Sequence, residues 1–226
     1  MIRRFAWGFL LLAFHAVAWG HGVAEGDKGY VEQATGVHLI AFTYLGAKHM
    51  VTGYDHLLFL FGVIFFLYRM KEVALYVTLF AVGHSVTLLF GVLTGTHANP
   101  HVIDAIIGLS VVYKALDNLD AFERWLGFKP DARAAVFAFG LAHGFGLATK
   151  LQEFSLSADG LVANILAFNV GVEVGQLLAL GVMLIAMAWL RRSDGFVRHA
   201  QVANGALMAA GFVLAGYQLA GYFILG

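Results

Sequence analysis

The sequence predicts an all-α fold, a polytopic transmembrane helix bundle of about six spans. Three observations carry this. Hydrophobic residues fill 60% of the 226 positions and charged ones only 12%, about half the charged share of a soluble domain. A soluble chain this short cannot hide so much apolar surface in one core, whereas lipid solvates it. The apolar residues also fall into separate stretches of spanning length, with cations gathered in alternate loops.

Residues 1–20 read as a signal segment. Arg3 and Arg4 form a basic start, Phe5 to Ala18 an apolar stretch, and Ala18-Trp19-Gly20 a small-x-small cleavage site before His21. An uncleaved first span is the alternative. Residues 21–226 then form a single transmembrane domain. The stretch Thr35–Met50 is apolar but brief, and Gly36, Gly46, Lys48 and His49 interrupt it. It fits a short re-entrant helix, an interfacial helix, or the front half of a long first span. Six segments beyond it qualify as spans, near Tyr54–Tyr68, Glu72–Leu93, His101–Leu116, Ala132–Leu151, Leu161–Leu190 and Val202–Leu225. Helix is the expected form because every backbone polar group in a lipid-exposed span must be satisfied within it.

Loop charges set the orientation. Arg69 and Lys71, then Arg124, Lys129 and Arg133, then Arg191, Arg192 and Arg198 occupy alternate loops. These loops are expected to face the cytoplasm. Both mature termini would then lie on the outer, periplasmic side of the inner (plasma) membrane, as a cleaved signal also requires. Gly171 and Gly175 form a small-xxx-small spacing, suited to tight packing within the bundle or to a homo-oligomer contact. The lipid bilayer is the expected surrounding partner.

Composition excludes several classes. No cysteine is present and the formal net charge is zero, so thiol catalysis, thiolate metal sites and nucleic-acid binding are not expected. No glycine-rich nucleotide loop of the Walker type occurs. Imidazole and carboxylate remain as the strong ligand chemistry.

An ionisable group inside a span costs several kcal/mol, which makes it a candidate for function. Asp55 and His56 open the first span, with His49 just before them. His84 lies about twelve residues up the second span and His143 about eleven up the fourth, placing both at or beyond the midplane at about 1.5 Å per residue. His101 and Asp104 share a face at the outer start of the third span, and Asn169 and Glu173 are spaced i, i+4 in the fifth. All of these fall in the outer half or the centre. Together His49, Asp55, His56, His84, His143, Glu173, Asp104 and His101 are the candidate ligands for a divalent transition metal such as nickel, cobalt, zinc or iron. The plainer readings are a helix cap for Asp55, interhelical hydrogen bonds for the histidines, and wet-edge positions for His101 and Asp104. Asp117, Asp120 and Glu123 read as a solvated mixed-charge loop.

Gly53-Tyr54-Asp55-His56-Leu57-Leu58-Phe59-Leu60, preceded by His49, resembles the H-x5-D-H signature of the HupE/UreJ membrane proteins. Ala142-His143-Gly144-Phe145-Gly146 is similar to their second signature, and Phe168 to Gln176 to the fifth-span motif of one branch. The resemblance runs from about Thr35 to the C-terminus. It implies a cleaved signal, six spans and a part in nickel or cobalt uptake. The permease form of the second signature is F-H-G-x-A-H-G-x-E. Phe139 and Gly146 stand here where it has His and Glu, so the chain resembles the second, less characterised branch, and Glu173 is a candidate to supply the absent carboxylate.

The expected function is a divalent-metal membrane transporter with an intramembrane His/carboxylate site open to the outer side. A membrane-embedded metalloenzyme using the same residues is the alternative, and a metal- or haem-binding accessory protein a further one. No residue is assigned a catalytic role.

Overall fold

The computed structural model describes residues 25–153, 157–193 and 195–225, so the expected signal segment lies outside the described residues. Within them every regular element is an α-helix: α1 (Glu25–Gln33), α2 (Leu39–Thr52), α3 (Tyr54–Ile64), α4 (Met70–Thr94), α5 (Pro100–Asn118), α6 (Ala121–Leu126), α7 (Ala132–Leu151), α8 (Leu161–Leu190) and α9 (Phe196–Leu225). The local reasons are legible. Asn99 caps α5 by accepting from the His101 and Val102 amides, with Pro100 at the first helical position, where its missing N–H does no harm. Asp131 caps α7 in the same way through the Arg133 and Ala134 amides.

All six segments expected to span are helical, but only α4, α7, α8 and α9 are long and apolar enough to cross a membrane alone. The expected count of about six is therefore not confirmed on length and composition. α3 has only 11 residues, about 16 Å of helix. α5 carries Asp104, Lys114 and Asp117 within its 19 residues.

Of the stretch Thr35–Met50, the part from Leu39 onward is helical. It belongs to α2, which lies along the first half of α8: the His38 amide donates to Asn164 Oδ1 at 2.7 Å, and Thr43 Oγ1 to the Ala167 carbonyl at 3.2 Å. At the other end the Arg191 guanidinium donates to the Ile64 and Phe65 carbonyls at 2.6 and 2.8 Å. Its carbon also sits 4.4 Å from the centre of the Tyr68 ring. Only Gly53 separates α2 from α3, and their side of the bundle meets α8 at Asn164 near its start and at Arg191 just past its end.

Three close helix pairs build the bundle: α2 with α8, α4 with α7, and α5 with α9. Gly83 lies beside Gly140 and Gly91 beside Ala148, so α4 and α7 are parallel; Gly108 lies beside Ala215 and Gly221 beside His101, so α5 and α9 are antiparallel. Small residues let the backbones meet where no hydrophobic force drives helices together.

These directions gather the basic loops at one end of the bundle, called the basic end below. There Asp117 corrects the expectation of a solvated loop. It is buried, pairs with Lys114 on its own helix, and lies 3.9 Å from Lys129. Lys129 itself holds Asp120 at 2.8 Å, and that hydrogen bond raises the lysine pKa above its ordinary value, against an opposing cost of burial. Nearby, Asn118 Nδ2 donates to the Gly62 carbonyl and to Asn204 Oδ1, both at 2.9 Å, tying α3, α5 and α9 together.

The outer surface is apolar. Val182 and Ile185 on α8 are 71% and 75% exposed, and Phe223 on α9 is 80% exposed. Continuous exposed apolar surface of this kind needs lipid, and the protein is an integral membrane protein.

Candidate metal centre

The break between α2 and α3 builds one wall of the site. α2 ends just after His49, and Gly53 is extended with φ −75° and ψ 93° before α3 begins. That φ suits any residue, so the glycine is there for space. A Cβ at Gly53 would lie 2.9 Å from His56 Nδ1 and 3.0 Å from the His49 carbonyl. The opposite wall comes from α4 and α7, where Gly144 packs on the His84 carbonyl so closely that a Cβ would overlap it. This contact sets His84 and His143 at one level.

His49, Asp55, His56, His84 and His143 are all buried, between 0% and 4% exposed. The rings surround His56: its centroid lies 5.1 Å from that of His49, 6.0 Å from His84 and 4.8 Å from His143. One nitrogen from each of His49, His56 and His84 falls within 4.8 Å of the others. Two nitrogens that share an ion at about 2.0–2.1 Å lie up to roughly 4 Å apart, so a small closure brings these three onto one ion. Phe80 flanks the group, 5.0 Å from the His143 ring and 6.1 Å from His56, and Phe168 lies 5.9 Å from His49.

Hydrogen bonds orient the rings. A carbonyl only accepts, so His143 Nδ1–H donates to Phe139 O at 2.8 Å, and the neutral ring keeps its lone pair on Nε2. His56 Nδ1 meets Asp55 Oδ1 at 3.2 Å, the carboxylate–histidine arrangement that fixes a ligand's tautomer and raises its basicity. Both ring nitrogens of His84 are buried and neither makes a well-formed hydrogen bond, with Asn169 the side chain beside them. Polar atoms in that state cost stability unless something binds them, and imidazole donors in an apolar shell suit nickel, cobalt, zinc or ferrous iron. The residues present therefore fit a divalent transition metal.

Five of the eight expected residues meet here, and three stand elsewhere. Asp104 Oδ2 accepts from Lys150 Nζ at 2.7 Å and from Gln218 Nε2 at 3.0 Å, while His101 Nδ1–H donates to Gln218 Oε1 at 2.8 Å. Glu173 is exposed on α8, between the exposed Val170 and Leu177. Glu173→Gln is accordingly expected to keep full metal stoichiometry and to weaken binding by less than the roughly tenfold loss of an outer-shell partner. Isothermal titration with nickel would read this, and a larger loss would bring Glu173 back into the site.

The structure adds residues that sequence reasoning did not single out for the site. Gln176 is buried with Nε2 unpartnered, and Asn169 Oδ1 accepts from Ser85 Oγ at 3.2 Å. Gln176 lines a small cavity that starts at His56 and continues between Phe59, Phe80 and Val77 to Tyr76 and Val136, toward the basic end. α8 is apolar on all sides, so periodicity could not tell its inward Gln176 from its outward Glu173. Lys150 was legible in principle, seven residues beyond His143 on the same face of α7.

No curated protein and no solved structure matches the chain. The family description "HupE / UreJ protein" matches residues 25–225. The match covers nearly the whole chain and both walls of the histidine centre, and the protein belongs to the HupE/UreJ family.

Proposed function

We propose that this protein carries a divalent transition-metal ion, of the nickel or cobalt kind, across the membrane through the histidine centre. His49, His56 and His84 are the primary ligands. His143 Nε2 is a fourth donor on the α7 side, and Asp55 orients His56 and balances charge. The observation that carries this reading is the convergence of three buried imidazole nitrogens within 4.8 Å of one another at the break of a discontinuous helix. Broken helices that line a central site recur in transporters, where the broken ends supply the binding groups.

The ion enters from the end where α5 and α8 begin, which loop charge makes the outer side. It leaves along the cavity below His56 toward Tyr76 and Val136. That cavity is narrow and mostly apolar, so release requires the helices around it to shift. Neutral imidazoles bind metal and protonated ones do not, so acidification favours release.

Elemental analysis of the detergent-purified protein tests the centre. Wild type is expected to hold one transition-metal ion after loading, and His84→Ala and His143→Ala to lose it. Metal that survives in both variants would rule the centre out. Retention through prolonged chelation would favour a resident catalytic metal over cargo, because a carrier must let go.

A further inference from the structure

Above the histidine centre, a cation is already held in place by the chain itself. Asp104 is 7% exposed. Its Oδ2 takes the Lys150 ammonium and Gln218, while Oδ1 is buried with no hydrogen-bond partner. A carboxylate accepts at up to about four positions, so half of this one is unused. α5 packs against α3, and a Cβ built at Gly146, three residues past His143 on α7, would lie 3.9 Å from the unused Oδ1. Asp104 is therefore an anionic group close to the histidine centre, on the side where α5 begins. The Lys150 side chain is only 13% exposed. It belongs to the last turn of α7, where a flexible four-carbon stem can carry the ammonium past the helix end.

We infer that Asp104 is a second cation-binding group on the entry side of the histidine centre, and that the Lys150 ammonium is a tethered cation that fills it and withdraws when a divalent ion arrives. The inference rests on the proposed entry route to the centre. While Lys150 is seated, the carboxylate is neutralised and an incoming cation meets a positive charge before it reaches Asp55. Once Lys150 swings out, Asp104 and Asp55 together present two negative charges, matched to a divalent ion rather than a monovalent one. The competing view is an ion pair set off the route, which only ties α5 to α7. Such a pair affects stability and leaves the charge selectivity of the route untouched.

The chain has no cysteine, so a single Tyr54→Cys substitution places the only thiol beside Asp55. In detergent, its labelling rate is compared for a cationic methanethiosulfonate (the ethylammonium) and an anionic one (the ethylsulfonate). Adding Lys150→Gln is expected to raise the cation-to-anion rate ratio by about tenfold or more, the scale of electrostatic focusing in a cleft. Lys150→Arg keeps the low ratio, and Lys150→Gln combined with Asp104→Asn returns to it. Should Lys150→Gln fail to fold, Asp104→Asn with Lys150 intact carries the test, because an unbalanced ammonium must lower the ratio. A ratio unchanged by these substitutions overturns the inference. The readout needs no bound metal: failure of the histidine centre appears as no nickel in the purified protein, whereas failure here appears as a flat ratio.

Discussion

His56→Ala is expected to strip the purified protein of bound nickel or cobalt, as complete a loss as that of His84→Ala. Three other rings gather around His56 at centroid distances of 4.8–6.0 Å, and its Nδ1 is the point where Asp55 enters the site. Removing the imidazole takes away a primary ligand and separates the α2 wall from the α4–α7 wall at once. Asp55→Asn keeps an acceptor oxygen but loses the charge, and should weaken affinity by about 10–100-fold, as loss of an outer-shell carboxylate does. The order His56→Ala, then Asp55→Asn, then Glu173→Gln is the signature of this centre in a titration series. His56 is 1% exposed, so the alanine also opens a cavity, and His56→Gln, which nearly fills the space, separates ligand loss from repacking. Stoichiometric nickel in folded His56→Ala would move the site to the Asp104 network.

Much of this was legible in the chain. Composition and loop charge carried the fold class, since lipid solvation and the bias of Lys and Arg are bulk effects that need no packing detail. The spacing of His49, Asp55 and His56 marked one wall, and the depths of His84 and His143 marked the other. Three things escaped. The packing partner of α2 is α8, more than a hundred residues away, joined through the pairs Thr43–Ala167 and His38–Asn164, which no local pattern shows. Glu173 pointed outward because α8 buries Asn169, Val172 and Gln176 instead. In an all-round apolar helix no periodicity distinguishes these faces. Asp117 looked like a loop residue because the expected span stopped at Leu116, whereas α5 runs on to Asn118 and Asp117 closes on Lys114 within one turn.

Gly144→Ala should be among the costliest single-methyl changes near the site. The added carbon would overlap the His84 carbonyl and lie 2.6 Å from Thr87 Oγ1, which itself donates to Leu141 O across the pair at 2.6 Å. The obstacle is backbone, so no rotamer change relieves it, and α4 and α7 must separate. Overpacking against movable side chains costs about 1–3 kcal/mol, and this contact sits at or above the top of that range. The functional loss follows from the same displacement. His84 and His143 ride on the two helices that part, and a ligand moved by an ångström leaves the reach of an ion held at about 2 Å. Gly144→Ala is thus expected to fall in thermal midpoint and lose its metal together while staying helical by circular dichroism. Gly181→Ala is the control: nothing lies within 4 Å of its added carbon, and exchanging glycine for alanine inside a helix is neutral or stabilising, by up to about 1 kcal/mol. If both variants melt and bind as wild type does, the α4–α7 contact does not set the distance between the two histidines. If both collapse alike, the bundle tolerates no added methyl in its helices, and the effect at Gly144 says nothing special about the metal centre.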